Sequence, residues 1–204
     1  MKKIIILIPL YNDWESAIKL LKNIDEHTEK LDIEISVLLV NDASLNEMPK
    51  AKLSLKKIKL VQIINMKKNR GHARCNAAGL KYIIEKKVCD YIILMDGDGE
   101  DRPEELEFIL KKSSENPTKV VTANRIKRSE GLFFKILYIF HKILTFVFTG
   151  KHIKFGNFSC LPREAASNLI KESSIWSSFS GSIVKTIPDR VSIPSIRGSR
   201  YFGP

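Results

Sequence analysis

The chain has 204 residues, enough for one full domain with a substantial core and too few for a second independent one to be expected. With 44% hydrophobic and 28% charged residues it belongs with globular chains, which excludes a disordered one. Its formal charge of +11 suits an anionic partner (nucleic acid, a nucleotide diphosphate or an acidic membrane surface) without choosing among them.

Ile4 to Ile8 is continuously apolar and β-branched, as in a strand covered on both faces of a parallel sheet. It follows Met1-Lys2-Lys3 and ends in Pro9-Leu10-Tyr11-Asn12 without a small-residue cleavage site, so a strand is expected rather than a signal peptide. Asn12 with Glu15 predicts a capping box, and Trp14, Ala17, Ile18, Leu21 and Ile24 then share one helical face. Ile33 to Val40 reads as a second strand ending in Asn41-Asp42-Ala43-Ser44. Ile58 to Ile64 reads as a third, followed by Asn69-Arg70-Gly71 and a helix whose inner face carries Ala73, Ala77, Leu80 and Ile84. Tyr91 to Met95 is the fourth strand and runs into Asp96-Gly97-Asp98-Gly99-Glu100-Asp101. Pro103-Glu104-Glu105 opens another helix with acids near its positive end. Val120 to Ala123 is a short fifth strand ending at Asn124-Arg125. Beyond it come a long apolar segment, a turn at Gly156-Asn157-Phe158, a helix near Arg163 to Lys171 and a basic tail.

This alternation predicts an open, mostly parallel α/β sheet, in which ligands sit beyond the carboxyl ends of the strands. Tyr11 to Asp13, Asn41 to Ser44, Asn69 to Gly71 and Asp96 to Glu100 therefore converge on one edge. Asp96, Asp98 and Glu100 alternate with glycines just past a buried strand. Hard divalent cations take oxygen ligands, and Mg²⁺ commonly uses one or two carboxylates plus substrate phosphates. The loop reads either as such a metal site facing a diphosphate or as a solvated acidic turn. Glu100 and Asp101 break the EF-hand pattern, and a third glycine is missing for a dinucleotide fingerprint. Asp96 to Gly99 does match the Asp-x-Asp-Gly of haloacid-dehalogenase phosphatases, although that motif normally follows the first strand. Cys75, Cys89 and Cys160 are widely spaced and odd in number, against a disulfide framework or a thiolate zinc site and in favour of a reducing cytosol.

Ile8-Pro9-Leu10-Tyr11-Asn12-Asp13, Val40-Asn41-Asp42-Ala43-Ser44, Asn69-Arg70-Gly71 and Met95-Asp96-Gly97-Asp98 together resemble glycosyltransferase family 2, closest to its polyprenyl-phosphate branch. The resemblance covers roughly the whole chain. It implies a GT-A fold, with residues 1–127 as a nucleotide-binding half and 128–204 as an acceptor-facing or membrane-facing half of a single catalytic domain. It implies that Pro9, Tyr11 and Asp13 line the nucleotide pocket, that Asp42 accepts from the base, and that Asp96 faces the ribose and phosphates. Asp98 and Glu100 would hold Mg²⁺ or Mn²⁺, with Asp96 and Asp98 the catalytic pair. Arg125, Arg197 and Arg200 would contact phosphate. The implied donor is a UDP- or GDP-linked sugar, and the implied acceptor a polyprenyl phosphate or a glycan. The expected location is the inner face of the membrane, peripherally bound.

Asn41 stands where the family has the first acid of an Asp-Asp pair, and Asn157 where many relatives have an acid near the acceptor. The chain stops at Gly203-Pro204, where relatives continue, which suggests a truncated or short variant. These departures leave a degenerate, non-catalytic binder as the alternative. His72 and Arg74 read as surface residues, with a phosphate contact at the helix N-terminus as the alternative, and no aromatic platform, helix-turn-helix or zinc pattern supports nucleic-acid binding. Lys135, Tyr138, Lys142, Thr145 and Thr149 form one narrow polar stripe on an otherwise apolar helix predicted over Leu132 to Phe148. With fewer than ~20 apolar residues it does not read as a spanning helix, and an interfacial helix is expected there, with a buried core helix as the alternative.

Overall fold

The computed structural model describes residues 1–49, 53–127 and 155–202. The apolar runs become strands β1 (Lys2–Leu10), β2 (Ile33–Asn41), β3 (Ile58–Asn65) and β4 (Tyr91–Leu94), which pair with one another in parallel. The fifth run extends further than the apolar residues suggest, as β5 (Val120–Lys127). Among the described residues the strands form one seven-stranded sheet of order β3-β2-β1-β4-β6-β5-β7.

Two elements correct the sequence reading. Gly156-Asn157-Phe158 is not a turn but part of β6 (Phe155–Pro162), antiparallel between β4 and β5. Its inner half Phe158-Ser159-Cys160-Leu161 is buried, and sheet pairing on both edges overrides the turn chemistry of Gly-Asn. The basic tail likewise contains β7 (Arg190–Ile196), parallel to β5, with polar residues alternating on an outer strand.

Helices cover both faces. Alternate residues of the central strand divide the core: Ile4, Ile6 and Ile8 pack with α1 (Trp14–Thr28) and α3 (Leu106–Glu115). Ile5 and Leu7 pack with α2 (His72–Lys86), α4 (Arg163–Leu169) and α5 (Phe179–Thr186). The expected capping box at Asn12 is absent. Asp13 occupies the cap position without a side-chain bond, and Asn12 takes a left-handed φ of 53° and turns its amide towards the next loop. The buried face of α2 centres on Cys75, Asn76, Gly79, Leu80 and Ile83, with Ala73 and Ile84 at its margins. Gly79 sets that rotation. A Cβ there would lie 2.3 Å from Leu7 Cδ1, so glycine lets α2 press onto the sheet and aim its first turn at the strand ends.

Candidate active site

The loops after β1, β2, β3 and β4 meet at the carboxyl edge of the sheet, fastened to one another by side chains. The Asn12 amide N–H donates to Ser44 Oγ (2.8 Å), and Leu45 N–H donates to Asn12 Oδ1 (2.7 Å). Asn41 donates to Asn65 Oδ1 (2.8 Å) and accepts from Ser44 N–H (3.0 Å). Buried Asp42 accepts the backbone N–H groups of Arg70 (2.8 Å) and Gly71 (2.7 Å), one on each carboxylate oxygen. Asp42 thus holds the entry to α2, a function its spacing did not reveal. Pro9 is buried, Asp13 half-buried and Tyr11 exposed along the same edge.

The acidic loop is the centre of charge. Asp96 Oδ1 lies 3.0 Å from His72 Nε2 and accepts from Asn157 Nδ2 at 2.9 Å. Its Oδ2 is 3.9 Å from the Arg125 guanidinium, which also lies 3.8 Å from Asp101 Oδ1. Burial pushes the Asp96 carboxyl up, but His72, Asn157 and Arg125 outweigh it and hold Asp96 below the usual carboxylate range. Asp101 has no such surplus of donors. Burial and the Asp96 charge push it up to about 8, against the Asp96 N–H (2.9 Å) and Arg125. Asp98 is also raised, by burial and by Asp96, against the opposing pull of Arg200 and Arg197. Burial lowers His72, yet its bond to Asp96 and the surrounding carboxylates raise it overall.

The residues after β7 close over this loop. Gly198 N–H donates to Glu100 O (2.8 Å) and Tyr201 N–H to Asp98 O (2.9 Å). Arg197 pairs with Glu100, while Arg200 lies 3.6 Å from Asp98 Oδ2 and 3.8 Å from Asp13 Oδ2. The Tyr201 ring sits on Gly99, where φ is +89° and a Cβ would meet the ring at 2.6 Å. Asn23 donates to the Tyr201 hydroxyl (2.7 Å), and Lys19 Nζ lies 4.6 Å from the ring centre.

Asp13, Asp96, Asp98, Glu100, Arg125, Arg197 and Arg200 are thereby brought to one place. Asp42 lies beside them with both oxygens engaged. His72 and Asn157 belong to the site as well. The sequence hid His72 because an exposed first-turn histidine looks like any surface residue until β4 delivers Asp96 to it.

An open sheet with this edge chemistry defines a GT-A type α/β domain. The model of glycosyl transferase family 2 matches residues 5–173, and the chain belongs to that family. Among curated proteins it is 26% identical over 209 residues to the undecaprenyl-phosphate 4-deoxy-4-formamido-L-arabinose transferase of Klebsiella pneumoniae (strain 342). That match covers 100% of this chain and 62% of the relative's length, so the chain spans about three-fifths of it. Two solved structures share the fold. Mannosyl-3-phosphoglycerate synthase from Rubrobacter xylanophilus aligns with TM-score 0.63 and 12% identity, over 99% of this chain and 68% of that one. A mannosyltransferase from Pyrobaculum calidifontis, in complex with GDP-Man and Mn²⁺, aligns with TM-score 0.60 and 15% identity, over 96% and 55%. The family match overturns the haloacid-dehalogenase reading, and the acidic motif indeed follows the fourth strand in chain order.

Proposed function

We propose that this chain is a glycosyltransferase moving a sugar, with inversion, from a UDP- or GDP-linked donor to a membrane polyprenyl phosphate. The observation that carries the reading is the acidic loop at the strand ends, with Arg125, Arg197 and Arg200 all within ion-pair distance of its carboxylates. Loss of a nucleoside diphosphate builds negative charge that cations must balance. Pro9, Tyr11 and Asp13 line the nucleotide pocket, Asp42 lies next to the base, and Asp96 faces the ribose and phosphates. Asp98 and Glu100 are the residues to hold Mg²⁺ or Mn²⁺. Burial first, and the Asp96 charge second, raise the Asp98 carboxyl, and a cation beside it would favour its ionised form. Among the described residues no three His, Cys, Asp or Glu groups could hold a metal by themselves, so a cation here would draw further oxygens from the diphosphate. Such a cation supplies Lewis-acid stabilisation of the departing phosphate oxygens. The arginines exchange carboxylate partners for phosphate oxygens when the donor enters. A phosphate acceptor is already ionised, so no strong general base is required of Asn157.

The acceptor places the enzyme peripherally on the inner face of the membrane. The charge of +11, the three buried free thiols and the apolar stretch 132–148 support that location. The predicted helix over 132–148 lies outside the described residues. No helix among the described residues is long and apolar enough to cross a membrane.

The test is calorimetric titration of UDP, GDP and their sugars into wild type and Asp98→Asn, each with Mn²⁺ and with chelator, followed by transfer to undecaprenyl phosphate in anionic vesicles. Wild type should bind one nucleotide in a metal-dependent manner and label the lipid, and Asp98→Asn should lose the metal dependence. Equal affinity in all four conditions, with no labelled lipid, would overturn the proposal.

A further inference from the structure

His72 opens α2, and its side chain retains 45% of its exposure, as expected of a solvated residue. Its ring nitrogens are nevertheless both engaged. Nδ1 lies 3.4 Å from Asn76 Nδ2 and 3.5 Å from Asn157 Nδ2. Asn157 Nδ2 also lies 2.9 Å from Asp96 Oδ1, and a carboxylate accepts only from a donor, so this atom is the NH₂ end of the amide. One of its hydrogens points to Asp96 and the other is left for the imidazole. Nδ1 faces amide donors and therefore acts as the lone-pair acceptor, which leaves the ring proton on Nε2. Nε2 lies 3.0 Å from the same Asp96 Oδ1. Asn76, one turn further along α2, is fully buried although its Oδ1 has no hydrogen-bond partner among the described residues. An amide kept there at that cost has the His72 ring as its recorded partner.

We infer that His72 is the positioning residue for Asp96. Asn76 and Asn157 fix its tautomer, and its Nε2–H and the Asn157 amide together clamp Oδ1 so that the other oxygen is aimed into the donor site. This rests on the transfer reading above, in which Asp96 faces the ribose and phosphates. A carboxylate held from α2, β5 and β6 at once is preorganised and needs no rearrangement when charge develops beside it. Removing His72 leaves Asn157 and Arg125 in place. The carboxylate therefore stays in the site, but it is free to swing.

The experiment compares wild type with His72→Ala, His72→Gln, Asn157→Ala and the His72→Ala/Asn157→Ala pair, measuring donor turnover and thermal stability. His72→Ala should lower kcat about tenfold, the worth of one hydrogen bond to a charged group, with donor KM changed less than twofold and the melting temperature unaffected. His72→Gln, which can present an N–H near the Nε2 position, should recover most of the loss. The double variant should depart from the product of the singles, because both donors share one oxygen. Full turnover in His72→Ala overturns the inference. So does a loss that accompanies a lower melting temperature and is not recovered by Gln. Nitrogen-15 spectra of the imidazole decide the geometry separately. A visible Hε2 proton in wild type that vanishes in Asp96→Ala supports the clamp, and its absence in wild type overturns it. A wild type that binds and turns over no nucleotide sugar defeats the transfer reading instead, whatever the spectra show.

Discussion

Asp42 spends both carboxylate oxygens on the backbone of the loop that leads into α2. Hydrogen bonds to a charged acceptor are each worth about 1.5–3 kcal/mol, and the two amides left behind would be partly buried. Asp42→Ala should therefore lower the unfolding free energy by about 3 kcal/mol in urea titration, besides any effect on nucleotide affinity. A drop under about 0.5 kcal/mol would mean that water replaces the carboxylate without cost. The thiols make a second test at this scale. Burial, with Asp42 beside it, pushes Cys75 up to about 12, and burial does the same to Cys160. Cys89 is raised too, against the pull of Arg163. Only the thiolate is nucleophilic, so iodoacetamide at pH 8 should leave all three unmodified in the native protein and label all three in denaturant. Rapid native labelling would show that one of them reaches solvent.

Among the elements, β6 is the one that joins the two sides of the sheet. Phe158 is 2% exposed on the α1 and α3 face, in the same core as Ile93 and Val121 of the flanking strands. Phe158→Ala should cost about 3–5 kcal/mol, as large-to-small changes in a filled core do. A loss below about 2 kcal/mol would indicate that the core collapses around the gap. The first four strands were legible in the sequence because each is a continuous apolar run bounded by turn residues. β6 was not, because Gly156-Asn157 carries turn chemistry and the strand exists only through partners 60 residues or more earlier for β4 and about 35 for β5. β7 was hidden for the opposite reason: its alternating polar residues look like a tail until β5 pairs with it. The acidic loop, Arg125 and the closing arginines could be read from motif and order. The couplings Asn12–Ser44, Asp42–Gly71 and His72–Asp96 could not, since each joins residues 24 or more apart through geometry alone.

At the scale of the whole molecule, Glu105 ties the last strand to the acidic loop. It is buried and accepts from Ser195 Oγ (2.6 Å) and from Ile196 N–H (2.9 Å), immediately before the arginines that close the site. Glu105→Ala leaves both donors wanting and should speed tryptic cleavage at Arg197 and Arg200, read by mass spectrometry of timed digests. Cleavage at the wild-type rate would show that the Tyr201 contacts alone secure this segment. The strand order has a further consequence for biosynthesis. β1 to β4 can assemble as the ribosome releases them, since each pairs with one of the others. β5 cannot, because both of its recorded partners, β6 and β7, are translated later. A nascent chain of 1–127 would therefore carry an unpaired strand and one bare side of β4, open to misassociation and to proteases. The residues that answer the acidic loop, Arg197 and Arg200, emerge after every strand of the described sheet. A ribosome that stalls before them leaves a sheet with its carboxylates in place and without the segment that closes over them, so the closed arrangement requires translation through Arg200.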